Sequence, residues 1–251
     1  MTLVPSQFRA RRLATVGLVA LLVTGCTAIP TITPTPSPTA LPTIPPTMPS
    51  YTLGPTIAPG ACPTSTPVPF TGTATVTMTT NYGNMVIKVD GSLGPNAAGA
   101  FVALARCGYY NNIIFHRVIP TFVIQAGDGT NARMPNLAQA KLFGTGGPSW
   151  TVPDDKVTTP YKRGTMAMAN SGKPNSGSSQ FFMVLADTSF QPGTTAYSIF
   201  GSVTTGLEAM DRIAALPTGG EPTIDQSTGQ SMPAQVPLNP AIITSTLVVT
   251  P

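Results

Sequence analysis

From residue 73 onward the chain carries a clear pattern of polar and apolar positions. Thr73-Ala-Thr-Val-Thr-Met78 alternates, and Met85-Val-Ile-Lys-Val89 follows after Asn81-Tyr-Gly-Asn84. A period of two on either side of a tight, glycine-containing turn predicts a hairpin. The period then lengthens. Pro95 opens a segment with Ala98, Phe101, Val102 and Ala105 on one side and Gly108 past its end, which predicts an amphipathic helix. Further apolar runs predict strands at Ile113–Val118, Phe122–Ala126, Thr165–Ala169, Phe181–Leu185, Ile199–Val203 and Ile242–Val249, with a second short helix at Leu207–Leu216. Many short strands and two helices predict a single mainly-β domain, closed or nearly so.

The first seventy residues follow other rules. Arg9, Arg11 and Arg12 precede an apolar stretch from Leu13 to Gly25, the pattern of an export signal too short for a comfortable membrane span. Its end, Val23-Thr24-Gly25-Cys26, resembles a bacterial lipobox, in which the cysteine is lipidated and becomes the mature N-terminus. Residues 1–25 are therefore expected to be a lipoprotein signal peptide, with Cys26 anchoring the protein to a bacterial membrane outside the cytoplasm. Residues 27–69 contain no charge, thirteen prolines and eleven threonines. Such a segment cannot bury enough apolar surface to offset its ordering entropy, so residues 26–69 are expected to form a disordered, lipid-anchored Thr/Pro-rich linker and residues 70–251 the domain.

Charge excludes one class of partner. The formal charge is +4, but three of the thirteen basic residues are the N-terminal arginines. The other ten nearly balance nine acidic residues. No basic patch argues for nucleic acid. With Cys26 lipidated, Cys62 and Cys107 remain, either as a disulfide in an oxidising compartment or as two free thiols.

The candidate chemistry lies in FHRVIPTFVIQAGD, residues 115–128, which holds the only histidine, His116, beside Arg117. Strict alternation puts Ile113, Phe115, Arg117 and Ile119 on one face and His116 on the other. An arginine there is costly unless its guanidinium is paired or stands in a groove. Phe122 and Gln125 follow within one short strand, so a cation, a ring and an amide share a small neighbourhood. His116 reads as a structural residue, since no G-x-S-x-G elbow accompanies it and no spacing suggests a metal site. The run Gly144–Gly147 lacks the Lys-Ser/Thr of a phosphate cradle and reads as a loop, with Trp150 packing beside it.

That stretch, with MANSGKPNSGSSQFFM at residues 168–183, resembles the cyclophilin family of peptidyl-prolyl cis–trans isomerases, as do TNYGNMVIKV, FVALARCGYY, GTGGPSW and YSIFGSV. The resemblance spans about residues 73–250. It implies a closed eight-stranded antiparallel β-barrel capped by two α-helices. It also implies prolyl isomerase activity on X-Pro-containing polypeptides, by a monomer, without metal, cofactor or covalent intermediate. Arg117 is the implied catalytic residue. Phe122, Val123, Phe182 and Phe190 are the implied proline pocket, with Gln125 positioning Arg117, Ala169 and Asn170 pairing with the peptide main chain, and Gln180 lining the adjoining groove. Tyr197 stands where a histidine is usual in drug-sensitive members, and Phe190 near a usual tryptophan. SGKPNSGSSQ and QPGTTAYS are longer than the family's spacing. A non-catalytic proline-peptide-binding or chaperone module on the same fold is the alternative reading.

Overall fold

The computed structural model describes residues 49–58, 61–138, 140–188, 196–219, 223–224, 231–232 and 235–251. The signal peptide, Cys26, most of the expected linker and Phe190 lie outside the described residues. No helix among the described residues is long and apolar enough to cross a membrane.

Strands β1 (Thr73–Thr80) and β2 (Gly83–Asp90) form the expected hairpin, in register from Thr73↔Asp90 to Thr80↔Gly83. Thr80 closes the turn: its hydroxyl donates to the Gly83 carbonyl at 2.7 Å and accepts from the Tyr82 amide at 3.0 Å. Helix α1 (Pro95–Arg106) starts on a proline, and its preceding residue, Gly94, has no side chain to cap it. Asp155 does so from a distant loop, accepting from the amides of Asn96 (3.2 Å) and Ala97 (2.9 Å). A carboxylate at a helix N-terminus satisfies orphan N–H groups and opposes the helix dipole. Eight of the helix's residues are buried, and Phe101 sits at the centre of an aromatic cluster with Tyr110, Phe181 and Phe200 at 4.9–5.4 Å between rings.

After α1 come β3 (Ile113–Ile114), β4 (Arg117–Ile119), β5 (Val123–Ala126), β6 (Thr165–Met168), β7 (Phe181–Val184) and β8 (Ile199–Thr205). Helix α2 (Leu207–Ala214) follows, burying Ala209, Met210 and Ile213. The chain then forms β9 (Thr218–Gly219), β10 (Thr223–Ile224), β11 (Ser231–Met232), β12 (Val236–Pro237) and β13 (Ile242–Val249), with β9 paired to β12 and β10 to β11.

Nine strands make one antiparallel sheet in the order β3-β13-β1-β2-β8-β6-β7-β5-β4. This corrects the expectation of a closed eight-stranded barrel: the sheet is a curled half-barrel whose ladder has two ends. The expected single strand Ile113–Val118 divides, because each half finds a ladder partner on one side only. β3 pairs with β13 and β4 with β5. At the break the backbone changes neighbour: the Phe115 amide donates to Ala241 O at 2.8 Å and the His116 amide to Gln125 O at 3.1 Å.

Residues 49–58 and 61–69, assigned to the tether by composition, lie against this domain. Gly54 and Asn112 exchange two hydrogen bonds, amide to Oδ1 at 2.7 Å and Nδ2 to carbonyl at 3.1 Å. Gly54 is required there, since a side chain would run into the Thr244 carbonyl. Trp150 Nε1 donates to Pro63 O at 3.1 Å, and the Phe70 amide to Pro95 O at 2.9 Å. Cys62 and Cys107 are joined as a disulfide at the end of α1, with Cα atoms 5.2 Å apart.

Candidate active site

The sheet has a dry face and a second face, and alternation sorts β5 and β7 between them. Ile124, Ala126, Phe181 and Met183 join the main core with α1. Val123, Phe182 and Val184 point the other way, into a separate apolar cluster with Tyr161, Ala167 and Ile199. Ile119, Phe122, Ala169 and Tyr197 pack around that cluster. Phe182 and Tyr197 meet edge to face at 5.2 Å. The Tyr197 backbone is held by Tyr161, whose hydroxyl donates to Tyr197 O at 2.7 Å and accepts from the Tyr197 amide at 3.1 Å. Burial pushes the Tyr161 phenol up to about 12, so it stays a donor at any physiological pH.

Register lines the charged group up with this slot. Arg117 on β4 is opposite Gln125 on β5, Gln125 is opposite Phe182 on β7, and Phe182 is opposite Ala167 on β6. One row across four strands therefore carries a cation, an amide and an aromatic ring. The side chains continue the row. Arg117 Nη1 donates to Gln125 Oε1 at 3.2 Å, Gln125 Nε2 donates to Gln180 Oε1 at 3.0 Å, and Gln180 Nε2 donates to Gly144 O and Gly146 O at 2.8 and 2.9 Å. A guanidinium only donates, so Gln125 must present its oxygen to Arg117 and its NH2 to Gln180. The arginine thus fixes which way each amide faces. At the far end Asp128, fully buried, accepts from the amides of Thr130, Asn131, Gly144 and Gly146 at 2.8–3.1 Å and so holds the loop that receives Gln180.

A family model described as cyclophilin type peptidyl-prolyl cis-trans isomerase matches residues 75–245. The chain belongs to this family. A probable peptidyl-prolyl cis-trans isomerase of Brucella abortus is 36% identical over 140 residues, covering 55% of this chain and 70% of the relative. A peptidyl-prolyl cis-trans isomerase-like 1 protein of Aspergillus oryzae is 36% identical over 150 residues, 58% of this chain and 85% of the relative. A Cryptosporidium parvum cyclophilin type isomerase superposes with a TM-score of 0.54 at 28% identity, over 71% of this chain and 99% of that one. A structure of that protein in the presence of the dipeptide Ala-Pro gives 0.53 over 70% and 99%.

In this cyclophilin, Arg117, Phe122, Val123, Gln125, Ala169, Gln180, Phe182 and Tyr197 fall on one surface. Asn170 joins them at an adjoining hollow of about 270 Å³, which Gln125, Gln180, Ala169 and the 144–148 loop also line. A larger open hollow, about 540 Å³, lies beside the Cys62–Cys107 disulfide and contains none of these residues. Phe190 lies outside the described residues. Lys173 stands exposed on the neighbouring loop.

The single-face reading of Ile113, Phe115, Arg117 and Ile119 is corrected. Ile113, Phe115 and Val118 lie in the main core, whereas Arg117 is half-buried on the slot side and Ile119 packs on the slot. The phase shifts where the strand breaks, between Phe115 and Arg117. His116 is buried, with neither ring nitrogen hydrogen-bonded among the described residues. Burial pushes its pKa down to about 4, with Asp128 opposing and Arg117 adding to the shift, so the ring is neutral near pH 7. Two residues of the site carry no signal of their role in the sequence. Asp128 ends the quoted motif but touches the site only through a loop. Gln235 accepts from Arg117 Nε at 2.6 Å and is 118 residues away in the chain.

Proposed function

We propose that Arg117 is the catalytic residue of this peptidyl-prolyl isomerase and that the protein acts on exported polypeptides while tethered outside the cytoplasm. Rotation about an X–Pro bond is slow, tens to hundreds of seconds uncatalysed, because the nitrogen lone pair is delocalised into the carbonyl. No bond breaks, so the reaction needs no nucleophile, metal or cofactor. It needs a site that holds the proline ring and favours the twisted amide, in which the lone pair returns to nitrogen. Each ~1.4 kcal/mol of such selective stabilisation is worth tenfold in rate.

The observation that carries this reading is the row Arg117–Gln125–Phe182, set by strand register at the rim of an apolar slot. The slot of Phe122, Val123, Phe182 and Tyr197 takes the proline ring. Arg117 donates to the pyramidal nitrogen, a role that suits a guanidinium because it carries donors in a planar fork and no acceptor. The Ala-Pro dipeptide used with the Cryptosporidium relative is the smallest ligand of this class. Ala169 and Asn170 continue beyond the β6–β7 ladder, where the Ala169 amide donates to Gln180 O at 2.9 Å. A substrate backbone lies along them.

Location outside the cytoplasm is supported by the lipobox-like Val23–Cys26 and by a disulfide at Cys62–Cys107, a bond that persists in oxidising compartments. Mass spectrometry of the mature N-terminus tests the anchor: an unlipidated Cys26 removes it. The central test is turnover of a proline tetrapeptide by the full chain beside Arg117→Ala. Losing a donor aimed at developing charge costs about 10²–10³ in kcat at comparable sites. Wild-type turnover in the variant overturns the mechanism.

A further inference from the structure

The guanidinium of Arg117 has a second holder that no other part of the site explains. β4 is the end of the nine-stranded ladder, with β5 as its one ladder neighbour. An edge strand leaves outward backbone groups that need partners. Here the partner is Gln235, just before β12. Its carbonyl accepts from the Val118 amide at 2.7 Å, and its side-chain Oε1 accepts from Arg117 Nε at 2.6 Å. One residue thus binds two successive residues of β4, Arg117 through its side chain and Val118 through its backbone. Gln235 is 8% exposed, and a buried amide is costly unless its polar atoms are bonded. A charge-assisted bond of this length is among the stronger ones available to it.

Geometry says what the second bond adds. A guanidinium is a rigid plane on a flexible stem. Gln125, accepting from Nη1, constrains one end of that plane. A second acceptor on a different atom, Nε, fixes the plane. Both acceptors sit on backbone that is itself bonded to β4 or β5. An arginine so held meets its target without first giving up rotamer freedom, which is how preorganised donors gain over mobile ones.

We propose that Gln235 is a positioning residue for Arg117, contributed by the segment between α2 and β13, and that it acts by fixing the guanidinium plane rather than by touching substrate. This rests on the catalytic role given to Arg117 above. The test uses the full chain with Gln235→Leu and Gln235→Met, both of which remove the side-chain carbonyl. The second keeps the side chain's length and packing, and both keep the backbone bond to Val118. Each lowers kcat/KM for a proline tetrapeptide about tenfold, mainly through kcat, and shifts the Arg117 Nε–H resonance in ¹⁵N NMR. Gln235→Glu, which keeps an acceptor at the same reach, recovers most of the rate and of the resonance position.

The inference is overturned if the carbonyl-free variants keep kcat/KM within twofold. It is overturned equally if activity falls while the Arg117 Nε resonance stays in place, or if Gln235→Glu loses as much as Gln235→Leu, since either marks a merely structural role. Arg117→Ala measured alongside separates the two claims. Loss there without loss at Gln235 removes this inference and leaves the proposed function standing. No loss at Arg117 removes the catalytic role given to that residue.

Discussion

Two pairs of chain neighbours, Phe181–Phe182 and His116–Arg117, show how one set of strands serves two purposes. Phe181 is fully buried against α1, within 5.4 Å of the Phe101 and Tyr110 rings. Phe182, one residue on, lines the slot opposite Gln125. His116 is buried and held neutral, while Arg117 next to it is half-buried and bonded to two amides. On the core side Phe181 packs among aromatic rings and apolar side chains, where specificity is a matter of volume. On the slot side apolar walls stand beside donors whose direction is fixed by a relay of amides. Ring and cation are therefore not functional by type. Their role is set by the side of the sheet they reach.

The sharpest way to break this comparison is to truncate the two phenylalanines. Phe181→Ala removes a core ring and is expected to cost about 3–5 kcal/mol of stability, while kcat/KM of the folded fraction stays within about threefold. Phe182→Ala is expected to cost about 2 kcal/mol and to lower kcat/KM about 10- to 100-fold, because the wall that orients the proline is gone. Denaturant unfolding and tetrapeptide turnover measured on both variants decide it. Equal stability losses with unchanged turnover in Phe182→Ala would make the slot a second core rather than a binding site.

Next in size is the effect of acid on His116. Its pKa is about 4 in the folded chain and about 6.5 unfolded. Between those values the unfolded state binds the extra proton, so stability falls as pH drops. The contribution is fully present above pH 6.5 and lost as pH falls through about 4, a total of roughly 3 kcal/mol. His116→Leu is expected to flatten the stability-versus-pH curve across that window and to leave its slope unchanged above pH 7. A curve of wild-type slope in the variant would show that His116 is not the buried proton acceptor.

The parts of this fold that were legible from sequence are the local ones. The β1–β2 hairpin, α1 and the strands around Phe181 and Ile242 follow from a period of two or of 3.6 and a turn residue. What was illegible depends on partners. The break at Phe115–His116 comes from two neighbours on opposite sides, β13 and β5, which no period records. It shifts the phase of the strand and undoes an assignment of faces made by counting. Residues 49–58 and 61–69 read as an unstructured tether because composition measures what a segment can bury alone. They are held instead by Asn112, Thr151, Trp150 and the Cys62–Cys107 bond. The site was legible through its resemblance to a family, residue by residue. The register that makes Arg117, Gln125 and Phe182 a row, and the amide of Gln235 reaching across 118 residues, are properties of the folded sheet alone.

The smallest effect tests how the slot's own wall is held. Tyr161 reaches Tyr197 with one hydroxyl that both donates and accepts, so Tyr161→Phe removes two hydrogen bonds to the Tyr197 backbone at once. Tyr197 packs edge to face on Phe182, and its ring position follows its backbone. Water can reach the half-buried Tyr197, so the penalty falls toward the low end of the usual range, about 1 kcal/mol. The expected signature is a KM raised about two- to fivefold with kcat little changed, since Tyr197 shapes the wall but does not reach the reacting nitrogen. A fall in kcat with KM constant would place Tyr197 in the transition state. The slot would then be an active participant and not the passive cradle that its contrast with the Arg117 relay implies.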